Sequence, residues 1–142
     1  MTAPLKTIKN NAVLVLFLPD RQQIIVQNRD GHRPPPWGYF GGGLEAGETP
    51  LDAILREIRE ELNLSLQAED VTLWGCCKGE TPEMEYTIHV FGMQFSGDPY
   101  QLEVLEGAGL DVVTPEEMLQ RCAVGGPDEA ITRLAMQKLI KS

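Results

Sequence analysis

The chain has 142 residues and a formal net charge of −9 at pH 7, from 21 acidic residues against 12 basic ones. The length predicts a single domain over residues 1–142, able to bury about two thirds of its unfolded surface. The acidic balance argues against a broad grip on nucleic acid, which needs clustered Lys and Arg, and no apolar run is long enough to span a membrane.

The N-terminal stretch MTAPLKTIKN lacks the apolar segment of a signal peptide. Residues 12–18 (AVLVLFL) form a short continuous apolar run, which predicts a strand buried on both faces. Pro19-Asp20 marks a turn, and residues 23–27 (QIIVQ) read as the returning strand. Residues 29–36 (RDGHRPPP) are a loop, stiffened by three prolines. A glycine-rich turn over 41–43 and a short acidic loop follow. The first helix then has Thr49 as N-cap, Pro50 at its first position and Asp52 where a capping-box acid reaches back. Leu51, Ile54, Leu55, Ile58 and Leu62 make an apolar stripe, expected to point away from the helix's acidic side.

Residues 71–77 and 86–95 read as strands joined by a charged turn over 79–85, and residues 101–105 are a weaker strand candidate. Residues 110–113 form a short strand before Thr114-Pro115-Glu116-Glu117, a second helix start. That helix runs to about residue 121 and is broken at 125–127. A last helix runs from 128 to about 141, acidic at its start and basic at its end. A hairpin first and crossovers later predict an α/β fold with a mixed sheet and helices on both faces. Cys76, Cys77 and Cys122 are an odd count without zinc-type spacing, which predicts reduced thiols in a cytoplasmic protein. Trp74, His89 and His32 read as structural.

The chemistry concentrates in GGGLEAGETPLDAILREIREELNL, residues 41–64. Glu57, Glu60 and Glu61 are spaced i, i+3, i+4 and are neighbours on one helix. Three like charges there repel. A hard divalent cation removes that penalty, and Mg²⁺ commonly shares such carboxylates with substrate phosphates. A phosphate-ester or phosphoanhydride site follows as the first hypothesis.

At these residues the sequence resembles the Nudix hydrolase family, whose signature is G-x5-E-x7-R-E-U-x-E-E-x-G-U with U a bulky aliphatic residue. Gly42, Glu48, Arg56, Glu57, Ile58, Glu60, Glu61 and Leu64 match it. Asn63 stands where the family has glycine, at a position expected to be left-handed. The run 37–42 (WGYFGG) is similar to the family's lead-in, with Phe40 where many members have proline. The resemblance implies an α/β/α sandwich. It also implies a Mg²⁺-dependent (or Mn²⁺-dependent) hydrolase that cleaves the diphosphate linkage of a nucleoside diphosphate derivative, nucleoside triphosphates first, releasing a nucleoside monophosphate.

The implied metal ligands are Glu57, Glu60, Glu61 and the Gly41 carbonyl. Glu60 or Glu61, or a later-loop acid, Glu106 or Glu103, would take the proton from water. Glu48 is either an outer ligand or the ion-pair partner that orients Arg56, with the ion pair favoured. Arg56 either joins the catalytic group or caps carboxylates. Arg29, Gly42 and Gly43 are substrate-binding candidates. Trp37, Tyr39 and Phe40 either stack on a base or pack the loop, at least two of them packing, and Trp37 is the stacking candidate. Residues 120–142 contain no asparagine of the kind some members use to read a base, and Asp128 or Glu129 would have to substitute. The expected partner is a small nucleotide. A homodimer is left open, and neither nucleic acid nor membrane is expected. The alternatives are a diphosphatase acting on a nucleotide-sugar, a dinucleoside polyphosphate, capped RNA or a non-nucleotide, or a ligand-binding module without turnover. The complete set of box carboxylates favours an enzyme.

Overall fold

The computed structural model describes residues 6–29 and 35–140. His32 and most of the proline loop lie outside the described residues, as does Lys141. The strands are β1 (Thr7–Phe17), β2 (Ile24–Asn28), β3 (Trp37–Gly38), β4 (Phe40–Gly43), β5 (Thr72–Glu80), β6 (Met84–Gln94) and β7 (Leu110–Val113). The helices are α1 (Pro50–Glu61), α2 (Pro115–Arg121) and α3 (Pro127–Ile140).

All seven strands join one mixed sheet. Its main path runs β3-β2-β1-β6-β5, with β4 also on β1 and β7 on β2. β1 pairs in parallel with β6 along its whole length, Thr7 opposite Met84 through Phe17 opposite Gln94. On its other edge β1 changes partner. Residues Asn11 to Leu14 pair with β4, whereas Leu16 and Phe17 pair with β2.

The continuous apolar run of β1 is explained by a core on each side of it. Ala12, Leu14 and Leu16 pack with Ile54, Ile58 and Leu62 of the α1 layer. Val13, Val15 and Phe17 pack with Met118, Ile131, Ala135 and Leu139 of the α2 and α3 layer. Alternation along the strand serves both layers. Ile54 and Ile58 are fully buried, so truncating either to Ala should cost about 2–5 kcal/mol. The result is an α/β/α sandwich.

Three sequence expectations need correction. The glycine-rich stretch is not a turn; Phe40–Gly43 is a strand on β1. Residues 101–105 do not form a strand. A 3₁₀ turn over Pro99–Gln101 precedes a single bridge between Val104 and Leu62. Asn63 is not left-handed; among described non-glycine residues only Arg21 has positive φ. The reason lies in the same bridge. The Leu105 N–H donates to the Glu61 carbonyl and the Asn63 N–H to the Glu103 carbonyl. The chain therefore leaves α1 extended, with the Glu61 carbonyl satisfied by a neighbouring segment instead of a left-handed cap.

Candidate active site

α1 starts as its sequence predicts. The Thr49 hydroxyl accepts from the Asp52 N–H, the Asp52 carboxylate accepts from the Thr49 N–H, and Pro50 occupies the first turn. Its acidic side departs from expectation. Glu61 is 6% exposed and ranks with Ile54 and Ile58 among the buried residues of the helix. Seven residues are nearly two helical turns, so Glu61 lies within about 20° of Ile54. It sits on the packed face, where the stripe was expected to exclude acids.

Two glycines of β4 make room for the carboxylates. The Gly41 N–H donates to Glu61 Oε1 at 2.6 Å. Gly41 has φ of 141°, and a Cβ there would meet the Ala12 carbonyl oxygen at 2.1 Å, so only glycine fits. At Gly42 a Cβ would come within 2.6 Å of Glu57 Oε1. The Glu57 carboxylate thus rests in the space of an absent side chain.

Arg56 organises the loop before the helix. Its Nε and Nη2 donate to the two oxygens of Glu48 at 2.7 and 2.8 Å, a bidentate pair. Nη2 also donates to the Gly43 carbonyl at 3.0 Å, and Nη1 donates to Glu57 at 3.0 Å and Glu60 at 3.3 Å. Glu45 joins at 3.6 Å. Hydrogen bonding to Arg56, aided by the Glu45 backbone, lowers the Glu48 pKa to about 2. Of the two roles considered for Glu48, the ion pair is the one the geometry displays.

A cavity of about 280 Å³ draws its lining from both faces of the sheet, where β1 changes partner. Glu57, Glu61 and Glu106 form an acidic wall. Burial, foremost, raises the Glu61 pKa to about 7. The Gly41 N–H opposes the rise, and Glu57 and Glu106 add to it. Glu57 is also raised, chiefly by burial and against the pull of Arg56. On the α3 side, Arg29 Nη2 reaches both oxygens of Asp128 at 3.1 and 3.2 Å. The Asp128 pKa is raised by burial, against the attraction of Arg29 and Lys9. Arg29 Nε is buried with no hydrogen-bond partner among the described residues, and its guanidinium fills the space above Gly38, where a Cβ would lie 1.3 Å from Nη2. Tyr39 lines the same side and makes a short hydrogen bond to Thr132.

The donors on the acidic wall are all oxygens. Glu57 and Glu61 are desolvated and the Glu106 charge adds to the rise in both, a set that suits a hard divalent cation. Among the described residues, no three acidic, histidine or cysteine side chains are gathered closely enough to hold a metal as they stand. The physical reason is Arg56, which engages Glu57 and the half-exposed Glu60.

Of the residues named from sequence, Arg29, Gly41, Glu57, Glu61 and Glu106 come together on the cavity, with Asp128. Glu60, Arg56, Gly42, Gly43 and Trp37 are outside its lining. Gly42 lies beneath Glu57 and the Gly43 carbonyl serves Arg56. Trp37 packs on the core, with the Arg121 guanidinium 4.8 Å from its ring centre. These contacts favour loop anchoring over base stacking for Trp37, with Arg121 on one face of its ring. Sequence reasoning missed Lys9, Asn11 and Gln27 in the lining. Lys9, Asn11 and Val13 share one strand face by alternation. Gln27, a polar residue ending an apolar strand, was the available signal for the third.

The NUDIX domain profile matches residues 8–134 of this chain. The nucleoside triphosphatase NudI of Salmonella heidelberg (strain SL476) is 48% identical over 50 residues, 35% of each chain. The dihydroneopterin triphosphate diphosphatase of Escherichia coli (strain K12) is 33% identical over 79 residues, 55% of this chain and 50% of that one. The chain thus spans only a third to a half of these curated relatives. Solved structures align over more of it. The E. coli dihydroneopterin triphosphate pyrophosphohydrolase superposes with TM-score 0.75 at 18% identity, covering 96% of this chain and 100% of that one. The NUDIX domain of Shewanella oneidensis NrtR, complexed with ADP ribose, gives 0.70 at 14% identity, covering 95% and 90%. The shared fold and a profile match over nearly the whole length lead to one assignment: the chain belongs to the Nudix family.

Proposed function

We propose that this protein hydrolyses the phosphoanhydride of a nucleoside diphosphate derivative, with nucleoside triphosphates first in rank, and releases a nucleoside monophosphate. The observation that carries the proposal is the meeting of Glu57, Glu61 and Glu106 on one cavity, with Arg29 on the opposite side. Glu57 and Glu61, with Glu60 and the Gly41 carbonyl beside them, are the residues that would hold Mg²⁺ or Mn²⁺. Such a cation, when bound, neutralises phosphate charge and makes bound water more acidic. The chain's own groups do the rest. Arg29 binds a phosphate oxygen, with Asp128 setting its direction. Arg56 holds the acidic loop against α1. Water adds its oxygen to a phosphorus of the anhydride, the bridging P–O bond breaks, the products from a triphosphate are nucleoside monophosphate and pyrophosphate, and the water proton passes to a carboxylate. Glu106 is the assigned acceptor, since it faces Glu57 and Glu61 from a separate loop.

Two relatives support the ranking, because their names specify a nucleoside triphosphatase and a triphosphate diphosphatase. The structural neighbour that holds ADP ribose supports the broader class of diphosphate-linked ligands. The test is product analysis on a panel of nucleoside triphosphates, nucleotide-sugars and monophosphates, with Mg²⁺ and with excess chelator. Nucleoside monophosphate should form from diphosphate-linked compounds only, and only with metal. Dephosphorylation of monoesters with every anhydride left intact would refute the proposal, as would full turnover in excess chelator.

A further inference from the structure

The loop that carries Glu106 is fastened to the end of β2 at several points. The Ala108 N–H donates to the Asn28 carbonyl, and the Asn28 N–H donates to the Gly109 carbonyl, each at 2.9 Å. Gly107 has φ of 90°, and a Cβ there would meet the Asn28 carbonyl oxygen at 2.5 Å. The last fastening is a side chain. Gln27 Nε2 donates to the Glu106 carbonyl at 3.1 Å.

Gln27 is 4% exposed, one of few buried polar side chains among the described residues. By strand alternation it shares the face of Ile25, which packs in the α1 layer. From that face Gln27 lines the same cavity as Glu61 and Glu106. A buried amide costs free energy unless its hydrogen bonds are made. An apolar residue in the run IIVQN would avoid that cost, so a purely structural strand has no need of Gln27 here.

We infer that Gln27 is a positioning residue: its amide clamps the Glu106 backbone to β2 and fixes where the Glu106 loop stands relative to Glu61. The kinetic consequence rests on the proposed role of Glu106. The clamp itself does not. Displacement of a reacting group by about 1 Å can cost up to about a hundredfold in rate.

The experiment pairs two readouts on the full chain with Gln27→Met, of similar volume, and Gln27→Glu, of the same shape with a donor replaced by an acceptor. The first is amide hydrogen exchange of residue 28 and residues 106–109 without substrate. Exchange should quicken there in both variants and stay unchanged in α2 and α3. The second is kinetics with a nucleoside triphosphate and Mg²⁺. Gln27→Met should lower kcat about ten- to a hundredfold with KM within about twofold. The same change in a Glu106→Gln background should lower kcat less than about twofold, because both act through one group. Unchanged exchange in both variants overturns the clamp. Faster exchange with full, additive kinetic loss in the Glu106→Gln background overturns the positioning role. If Glu106→Gln alone leaves kcat intact, the assignment of Glu106 as proton acceptor fails, and the exchange rates still decide the clamp.

Discussion

Two charge clusters share α1 and behave in opposite ways. Around Arg56, four acids converge on one guanidinium, and Glu48 is driven to a pKa of about 2. One turn further on, Glu61 faces Glu57 and Glu106, forms no salt bridge among the described residues, and its pKa climbs to about 7. The residue types are nearly the same. The first cluster is centred on its counter-charge, whereas in the second only Glu57 touches one. A satisfied cluster fixes the loop, whereas an unsatisfied, buried one invites a ligand that supplies what is missing. Glu57 belongs to both, bonded to Arg56 on one side and lining the cavity on the other.

The largest expected effect breaks the unsatisfied cluster. Glu61→Gln or Glu57→Gln should lower kcat with Mg²⁺ at least about a hundredfold while circular dichroism stays unchanged. Glu60→Gln, half-exposed and held by Arg56, should lose less than either. Turnover of Glu61→Gln equal to that of wild type would reduce the acidic wall to packing.

Next, Arg56→Lys should break the satisfied cluster. Lysine cannot reproduce the fork that spans Glu48 and Gly43. Thermal denaturation should show Tm lowered by several degrees, with activity lost alongside. An unchanged Tm would deny the loop-fixing role.

The pH dependence of stability separates the clusters more finely. In the folded chain Glu61 keeps its proton up to about pH 7, against an ordinary value of 4.5. Between those values the folded state binds more protons than the unfolded state. The contribution of Glu61 is therefore most favourable below about pH 4.5 and is lost as pH rises through 7. Glu48 works the other way, its contribution present at neutral pH and lost as pH falls toward 2. In metal-free protein the Tm of Glu61→Gln minus that of wild type should grow from pH 4.5 to pH 8. A difference flat across that range would contradict the assigned burial. The smallest effect is at Trp37: Trp37→Leu should lower Tm slightly and leave KM for nucleoside triphosphates within about twofold, because the ring packs on Arg121 and the core. A large rise in KM would restore the stacking role.

Much of this contrast was legible in the sequence. Thr49, Pro50 and Asp52 announced the start of α1, and the box spacing announced both Arg56 with Glu48 and the helical acids, because these are local relations along one loop and one helix. The short strand over 110–113 was equally plain, placed by the N-cap after it. What failed depended on distant partners. Asn63 is extended because residues 103–105 come back to meet it. Residues 41–43 are a strand because β1 offers an edge. Gln27 matters because the loop after residue 105 folds onto β2, a contact across 79 positions that no local pattern encodes.

The account turns on the claim that the unsatisfied cluster is a cation site and the satisfied one is not. A Mn²⁺ titration of metal-free protein at pH 8, followed by electron paramagnetic resonance, tests it most directly. Wild type should remove free Mn²⁺ saturably. Glu57→Gln/Glu61→Gln should bind at least about tenfold more weakly, and Glu48→Gln should bind nearly as wild type. Equal binding by wild type and Glu57→Gln/Glu61→Gln, or loss of binding only in Glu48→Gln, would contradict the account.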